Sequence, residues 1–154
     1  MSQGPSIKVA SVQVSVEDNA FDANMSNARA MALRVAENEK GVDLMLFHEG
    51  CLEGGVPLEQ VDEAMTARAL KFWKELAAQT GINILAGRLE RRPDGKLYNM
   101  ATVFAPDGFI IANLVEKPDT YFVCTLFKDE VDKRHKSMKW LEWVRPDLYE
   151  RFYV

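Results

Sequence analysis

Hydrophobic residues recur along this chain with two different periods, and the period changes several times. Ile7 to Val14 is rich in β-branched and small apolar types, with Val9 and Ser11 alternating against Ala10 and Val12, which predicts a strand. Phe21, Met25, Ala28, Ala32 and Val35 then follow at steps of four and three, which places them on one face of a helix over 22–39, and Gly41 stops it. Asp43-Leu44-Met45-Leu46-Phe47 is a continuous apolar run bounded by Gly41-Val42 and His48-Glu49-Gly50, the pattern of a strand covered on both faces. Val61, Met65, Ala69, Phe72 and Leu76 return to the helical spacing and predict a second helix over 59–79, ended by Gly81.

Three further strands are expected over 82–89, 98–104 and 109–114. They are divided by Pro93-Asp94-Gly95 and Pro106-Asp107-Gly108, turn sequences in which proline presets one backbone angle and glycine accepts a positive one. A last strand over 120–126 and a charged helix over 129–143, stopped by Pro146, complete the reading. The order β-α-β-α-β-β-β-β-α predicts a single α/β domain, a mixed sheet with both early helices packed on one face. No linker, repeat or low-complexity stretch divides the 154 residues.

Composition narrows the function classes. With 47% hydrophobic and 27% charged residues the chain can bury a core, and a net charge of −4 offers no basic excess for nucleic acid. No apolar run approaches the ~20 residues of a membrane-spanning helix. Met1-Ser2-Gln3-Gly4-Pro5 shows neither a charged n-region nor an apolar h-region, and two cysteines make no disulfide framework, so a reducing, cytoplasmic compartment is expected.

Among residues able to carry chemistry, Glu49 closes a buried apolar strand and is followed at once by Gly50. Sites in α/β folds lie at the carboxyl ends of strands, where a carboxylate can act as a general base; a solvated strand-end carboxylate is the alternative. His48 adjoins it and is placed to tune it. His135 lies far along the chain on the charged helix, so no His/Cys/Asp/Glu set has metal-ligand spacing, and neither metal nor cofactor is expected. Gly54-Gly55 lacks the spacing of a phosphate loop. Arg88, Glu90, Arg91 and Arg92 read as a solvated hairpin end, and Trp140 and Trp143 as the packed side of the last helix or an interface anchor.

Lys8-Val9-Ala10-Ser11-Val12-Gln13, Asn24, Ala28-Arg29-Ala30 and Gly41 through Glu49 together resemble the opening of a carbon-nitrogen hydrolase of the nitrilase superfamily. Gly81 through Gly87, Lys96 through Ala101 and Pro106-Asp107-Gly108 are similar to the stretch that follows in that family. The resemblance implies an α-β-β-α sandwich and a Glu-Lys-Cys set acting on amides or nitriles, with Glu49 as the base. In such a set a thiolate attacks the amide carbonyl or nitrile carbon, the glutamate moves protons and the lysine stabilises the developing charge.

The chain also departs from that pattern. Lys117, in Val115-Glu116-Lys117-Pro118, lies one residue beyond the usual place of the lysine, where Glu116 stands, and reads better as a solvated side chain of the terminal hairpin loop than as the family's lysine. Nothing matches the family's nucleophile turn: Cys124 falls within a predicted strand and Cys51 in the loop after Glu49, settings that suit inert packing. Phe122 to Leu126, Asp129 to Arg134 and Arg145-Pro146-Asp147-Leu148-Tyr149 resemble the family's terminal strand, helix and tail. These matches imply an internally shortened member, joined between about 106 and 118, without the nucleophile segment and inactive by itself.

Such a chain is expected to act as a catalytically silent binding or assembly module, or to be a shortened gene product, rather than to turn over substrate. It would also leave one sheet face uncovered. Val12, Leu46, Ile84, Val103 and Ile111 are candidates for that face. Leaving about 600 Å² of apolar surface wet forgoes about 15 kcal/mol, which predicts a homodimer formed sheet to sheet, with cover from the chain's own last helix or aggregation as the alternatives.

Overall fold

The computed structural model describes residues 7–115. Five strands and two long helices follow one another as β1 (Val9–Val12), α1 (Phe21–Asn38), β2 (Leu44–Phe47), α2 (Glu63–Thr80), β3 (Asn83–Arg91), β4 (Leu97–Phe104) and β5 (Ile110–Val115), with a 3-10 turn at Leu58–Gln60. The strands form one sheet in the order β1-β2-β3-β4-β5. β1, β2 and β3 pair in parallel; β3-β4 and β4-β5 are antiparallel hairpins. The mixed sheet expected from the element order is present, and the expected strand over 120–126, helix over 129–143, Lys117, Cys124, His135, Trp140 and Trp143 lie outside the described residues.

Helix α2 departs from the sequence reading at its start. The periodicity placed Val61 inside a continuous helix over 59–79, whereas the chain makes one 3-10 turn, extends at Val61 and restarts at Glu63. Asp62 is the reason: its carboxylate accepts from the Met65 N–H at 2.7 Å and supplies an N-cap. Val61 is still buried, so it contributes its side chain to the core from outside the helix. Gly81 closes α2 in the left-handed conformation with φ +69°. Both Pro-Asp-Gly segments form tight hairpin turns, with Gly95 N–H donating to the Arg92 carbonyl and Gly108 N–H to the Ala105 carbonyl, both at 2.8 Å.

Strand register sorts the side chains into two faces. Met45 pairs with Ala10 and Ile84, and Phe104 with Ile84, so Val12, Met45, Phe47, Ile84, Ala86 and Phe104 share one face. These residues form a single buried cluster with Phe21, Ala28 and Ala32 of α1 and Ala69, Phe72, Trp73, Leu76 and Ala77 of α2. Trp73 sits at its centre, fully buried, with its ring 4.8 Å from that of Phe47 and 5.0 Å from that of Phe72.

The opposite face carries Val9, Ser11, Leu44, Leu46, Leu85, Gly87, Ala101 and Val103. The grouping expected for an uncovered face is therefore corrected: Val12 and Ile84 belong under the helices, while Leu46 and Val103 lie on the opposite side. Ile111 sits where the β4-β5 register shifts, at a bulge next to the Val103–Ala112 pair.

Candidate active site

Glu49 follows β2 directly, and its position is fixed from three directions. Behind it, Asn24 of α1 is completely buried and uses its whole side-chain amide. Oδ1 accepts from Glu17 N–H at 2.8 Å, and Nδ2 donates to the carbonyls of Glu17 at 2.9 Å and Leu52 at 3.1 Å. One side chain thereby ties the loop after β1 to the loop that carries Glu49. Below Glu49 runs β3, where a Cβ added at Gly87 would lie 3.1 Å from the Glu49 Cα and 3.5 Å from its Cβ and Cγ. Glycine in mid-strand lets the Glu49 backbone approach the sheet. From the side, Asn99 of β4 donates its Nδ2–H to Glu49 Oε1.

The result is a cleft of about 310 Å³ lined by Phe47, Glu49, Leu85, Gly87, Asn99, Met100 and Ala101. It opens at the carboxyl end of β2, on the sheet face away from the helices, where parallel α/β strands place their sites. Its walls are apolar, and Glu49 is the one ionisable group among these lining residues. His48 is turned elsewhere: its ring nitrogens lie 3.0 Å from the Glu49 carbonyl oxygen and 3.3 Å from that of Val14, so it braces backbone and does not reach the carboxylate.

The loop beyond Glu49 turns inward. Cys51 is fully buried, and burial, reinforced by the nearby Glu53 charge, pushes its thiol up to about 12. Such a thiol supplies no thiolate at neutral pH. Glu53 is buried as well; its Oε1 accepts from Leu89 N–H at 3.3 Å along the part of the β3 edge that outruns β2. Burial holds the Glu53 carboxyl above the ordinary carboxylate range, opposed by backbone hydrogen bonds and by the charge of Arg88.

Arg88 corrects another expectation, that residues 88–92 form a solvated hairpin end. It is only 2% exposed, because it alternates onto the helix-covered face, where its Nε donates to Thr102 Oγ1 at 3.2 Å and its Nη2 to Glu90 Oε2 at 2.6 Å. Arg91 is tied down as well, donating to the carbonyls of Val61 at 2.8 Å and Leu58 at 2.7 Å and so fixing the 3-10 turn. Arg92 stacks over the Tyr98 ring, 4.3 Å from its centroid. No group of three His, Cys, Asp or Glu side chains able to hold a metal occurs among the described residues. None of the described helices is long and apolar enough to cross a membrane.

Asn99 and Gly87 were missed as site residues by reasoning along the sequence, although a signal existed. A glycine inside a strand pattern marks a close backbone approach, and the β3-β4 hairpin register that pairs Gly87 with Ala101 places Asn99 two residues away on the same face.

The mixed α/β sheet sets a strand-end glutamate at an apolar cleft, and comparison says what this fold is similar to. The sequence profile of the family described as Carbon-nitrogen hydrolase matches residues 8–154, so the chain belongs to that family. No curated protein sequence matches it. Among solved structures, the fold is similar to an amidase from Nesterenkonia sp., with a TM-score of 0.66 and 20% identity over 74% of this chain and 44% of that one. It is likewise similar to a carbon-nitrogen hydrolase from Helicobacter pylori G27, with a TM-score of 0.62 and 17% identity over 73% of this chain and 41% of that one. Saccharomyces cerevisiae Nit3, a member of branch 10 of the nitrilase superfamily, gives a TM-score of 0.61 and 23% identity over 71% of this chain and 44% of that one. The chain spans less than half the length of each of these structures.

Proposed function

We propose that this chain is the base-bearing part of a carbon-nitrogen hydrolase, internally shortened near residues 106–118, whose Glu49 cleft receives a small amide or nitrile. The observation that carries the reading is the position of Glu49: at the end of a parallel strand, on an apolar cleft, with one carboxylate oxygen held by Asn99. In an intact reaction of this class, Glu49 takes the proton of a cysteine thiol as the sulfur adds to the amide carbon. It returns that proton to the departing ammonia, and then takes one from the water that cleaves the thioester. Lys117 is the candidate for stabilising the oxyanion.

By itself the chain binds and does not turn over. The reading is supported by Cys51, whose buried thiol, pushed up to about 12, is no nucleophile. A reducing, cytoplasmic setting would keep Cys51 and Cys124 as thiols. Ammonia release from simple amides and nitriles tests this function: the purified chain should give none above buffer, and no acyl adduct on Cys51 or Cys124 by mass spectrometry. Release that is abolished by Glu49→Gln, or an adduct on either cysteine, would instead establish a working hydrolase.

A second reading, assembly, is favoured by the sheet itself. The face that carries the cleft also carries Leu44, Leu46 and Leu85, each half-buried, so a second copy packed on it would wall the cleft as well as cover the apolar surface they still expose. Light scattering at micromolar concentration tests it: a homodimer is expected, and a monomer that binds no hydrophobic dye rejects it.

A further inference from the structure

β3 outruns β2: the parallel register ends at the Leu46–Leu85 pair, while β3 continues to Arg91. Backbone N–H groups on that half of the edge need acceptors from elsewhere. Two side chains supply them. Glu53 Oε1 accepts from Leu89 N–H at 3.3 Å, and Thr66 Oγ1 accepts from Arg91 N–H at 2.9 Å. Of these two acceptors only Glu53 titrates, and it sits on the loop that carries Glu49. Glu49 itself rests against β3 at Gly87, one strand alternation before Leu89. The same loop therefore meets β3 twice, at its reactive carboxylate and at a buried one.

Glu53 is 4% exposed, and its Oε2 is buried with no hydrogen-bond partner among the described residues. The cation acting on it is Arg88 of β3, whose Nη1 is likewise buried and unpartnered among the described residues. Arg88 Nη2 is already committed to Glu90, which Arg92 holds from the other side. On its own loop Glu53 faces Cys51, whose thiol feels its charge. From the loop after β1, Asp18 packs against Gly55, two residues along. Ala69 and Trp73, which α2 contributes to the core beside Cys51 and Leu52, carry no charge, and neither does Thr102 of β4. A neutral carboxyl can stay buried here and still accept from Leu89. A carboxylate instead keeps one charged oxygen in the interior beside a cation it must share, and water outside the fold would solvate it better.

We propose that Glu53 is a positioning residue for Glu49: uncharged, it docks the Glu49 loop on the unpaired half of the β3 edge, and charged, it lets that loop go. The inference rests on the cleft reading above and adds its regulation. Once undocked, Glu53 is in water and ionises as an ordinary glutamate, near 4.5, whereas burial raises it in the docked loop. The docked state thus binds more protons. Docking is strongest below 4.5 and weakens as pH rises through the docked value. Between the two values each pH unit multiplies the opening constant by about ten.

Amide hydrogen exchange by NMR on the isotope-labelled full chain tests the proposal. Corrected for the intrinsic rate, opening at the Leu89 amide should rise by about tenfold per pH unit above 4.5 until the Glu53 carboxyl resonance has titrated. Urea below the unfolding transition should leave that opening unchanged, while it raises opening at Ala86, whose amide the alternation turns toward β4. Propionamide at ten times its Kd should suppress Leu89 opening about tenfold, because a formed cleft requires a docked loop. Glu53→Gln should remove the pH dependence and keep the loop docked; the wild-type profiles decide the matter even where this variant fails to fold. A Leu89 profile that stays flat while Glu53 titrates, or that follows urea as steeply as Ala86, would overturn the proposal. So would propionamide that shifts the Gly87 amide and leaves Leu89 opening unchanged. Propionamide that shifts nothing, with the expected pH and urea profiles, would reject the cleft reading and support the docking role of Glu53.

Discussion

Removing the Asn24 side chain should loosen the cleft from behind, and its size can be worked out from the hydrogen bonds. Asn24→Ala deletes three bonds, to Glu17 N–H, the Glu17 carbonyl and the Leu52 carbonyl, at a site with no solvent exposure. Each bond contributes about 1 kcal/mol net, and a buried partner left unpaired adds its own desolvation, so the expected loss is roughly 3–5 kcal/mol. That is a large share of the 5–15 kcal/mol typical of a domain. Urea unfolding at neutral pH, followed by circular dichroism, measures it as a lower midpoint at unchanged slope.

Asn24→Asp sharpens the argument because it keeps the acceptor for Glu17 N–H and replaces the donor with a second carboxylate oxygen facing two carbonyls. Burial and those carbonyls raise the new carboxyl in the folded state above its unfolded value. The variant should therefore be least stable at neutral pH and regain stability as pH falls through that window, since the protonated acid can donate once. A loss below about 1 kcal/mol for Asn24→Ala, or no recovery of Asn24→Asp in acid, would refute the claim that this side chain ties the two loops together.

Glu53→Gln should become progressively more stable than wild type as pH rises from the ordinary glutamate value of 4.5 through the raised folded value, because the buried wild-type carboxyl favours its protonated form; parallel denaturation curves across that range check the sign. Cys51 should resist a thiol reagent in the native protein and react on unfolding, which timed mass mapping of the labelled peptide reads directly. Trp73→Ala, at the centre of the core, should cost about 3–5 kcal/mol in the same urea experiment. Gly87→Ala should displace the Glu49 backbone, since a contact of 3.1 Å has to open, and so weaken propionamide binding more than it lowers the unfolding midpoint.

Periodicity carried the reading where one physical signal dominated. The step of three and four in α1, the apolar run of β2 and the two Pro-Asp-Gly turns each specify their element locally, and each element is present. The start of α2 was not legible this way, because Val61 keeps the helical spacing while a side-chain cap at Asp62 decides where the helix begins. Arg88 was misread because charge suggests solvent, whereas its place in the β3 alternation puts it under the helices with Thr102 and Glu90 as partners. The position of Glu49 at the carboxyl end of a buried strand was legible from the apolar run before it. Asn99 was not, because the contact spans 50 residues and depends on the hairpin register that brings β4 beside the β2 end. The division of the sheet into two faces needed the same information: alternation fixes which residues in one strand share a side, and only pairing fixes which strands agree.

The central claim is that the Glu49 cleft at the end of β2 receives a small amide or nitrile. A crystal of the full chain soaked with propionamide tests it most directly. The account predicts the ligand in the cleft over Gly87, beside the Glu49 carboxylate and against Leu85. Propionamide bound elsewhere on the chain, or a cleft that stays occupied by water alone, would contradict it.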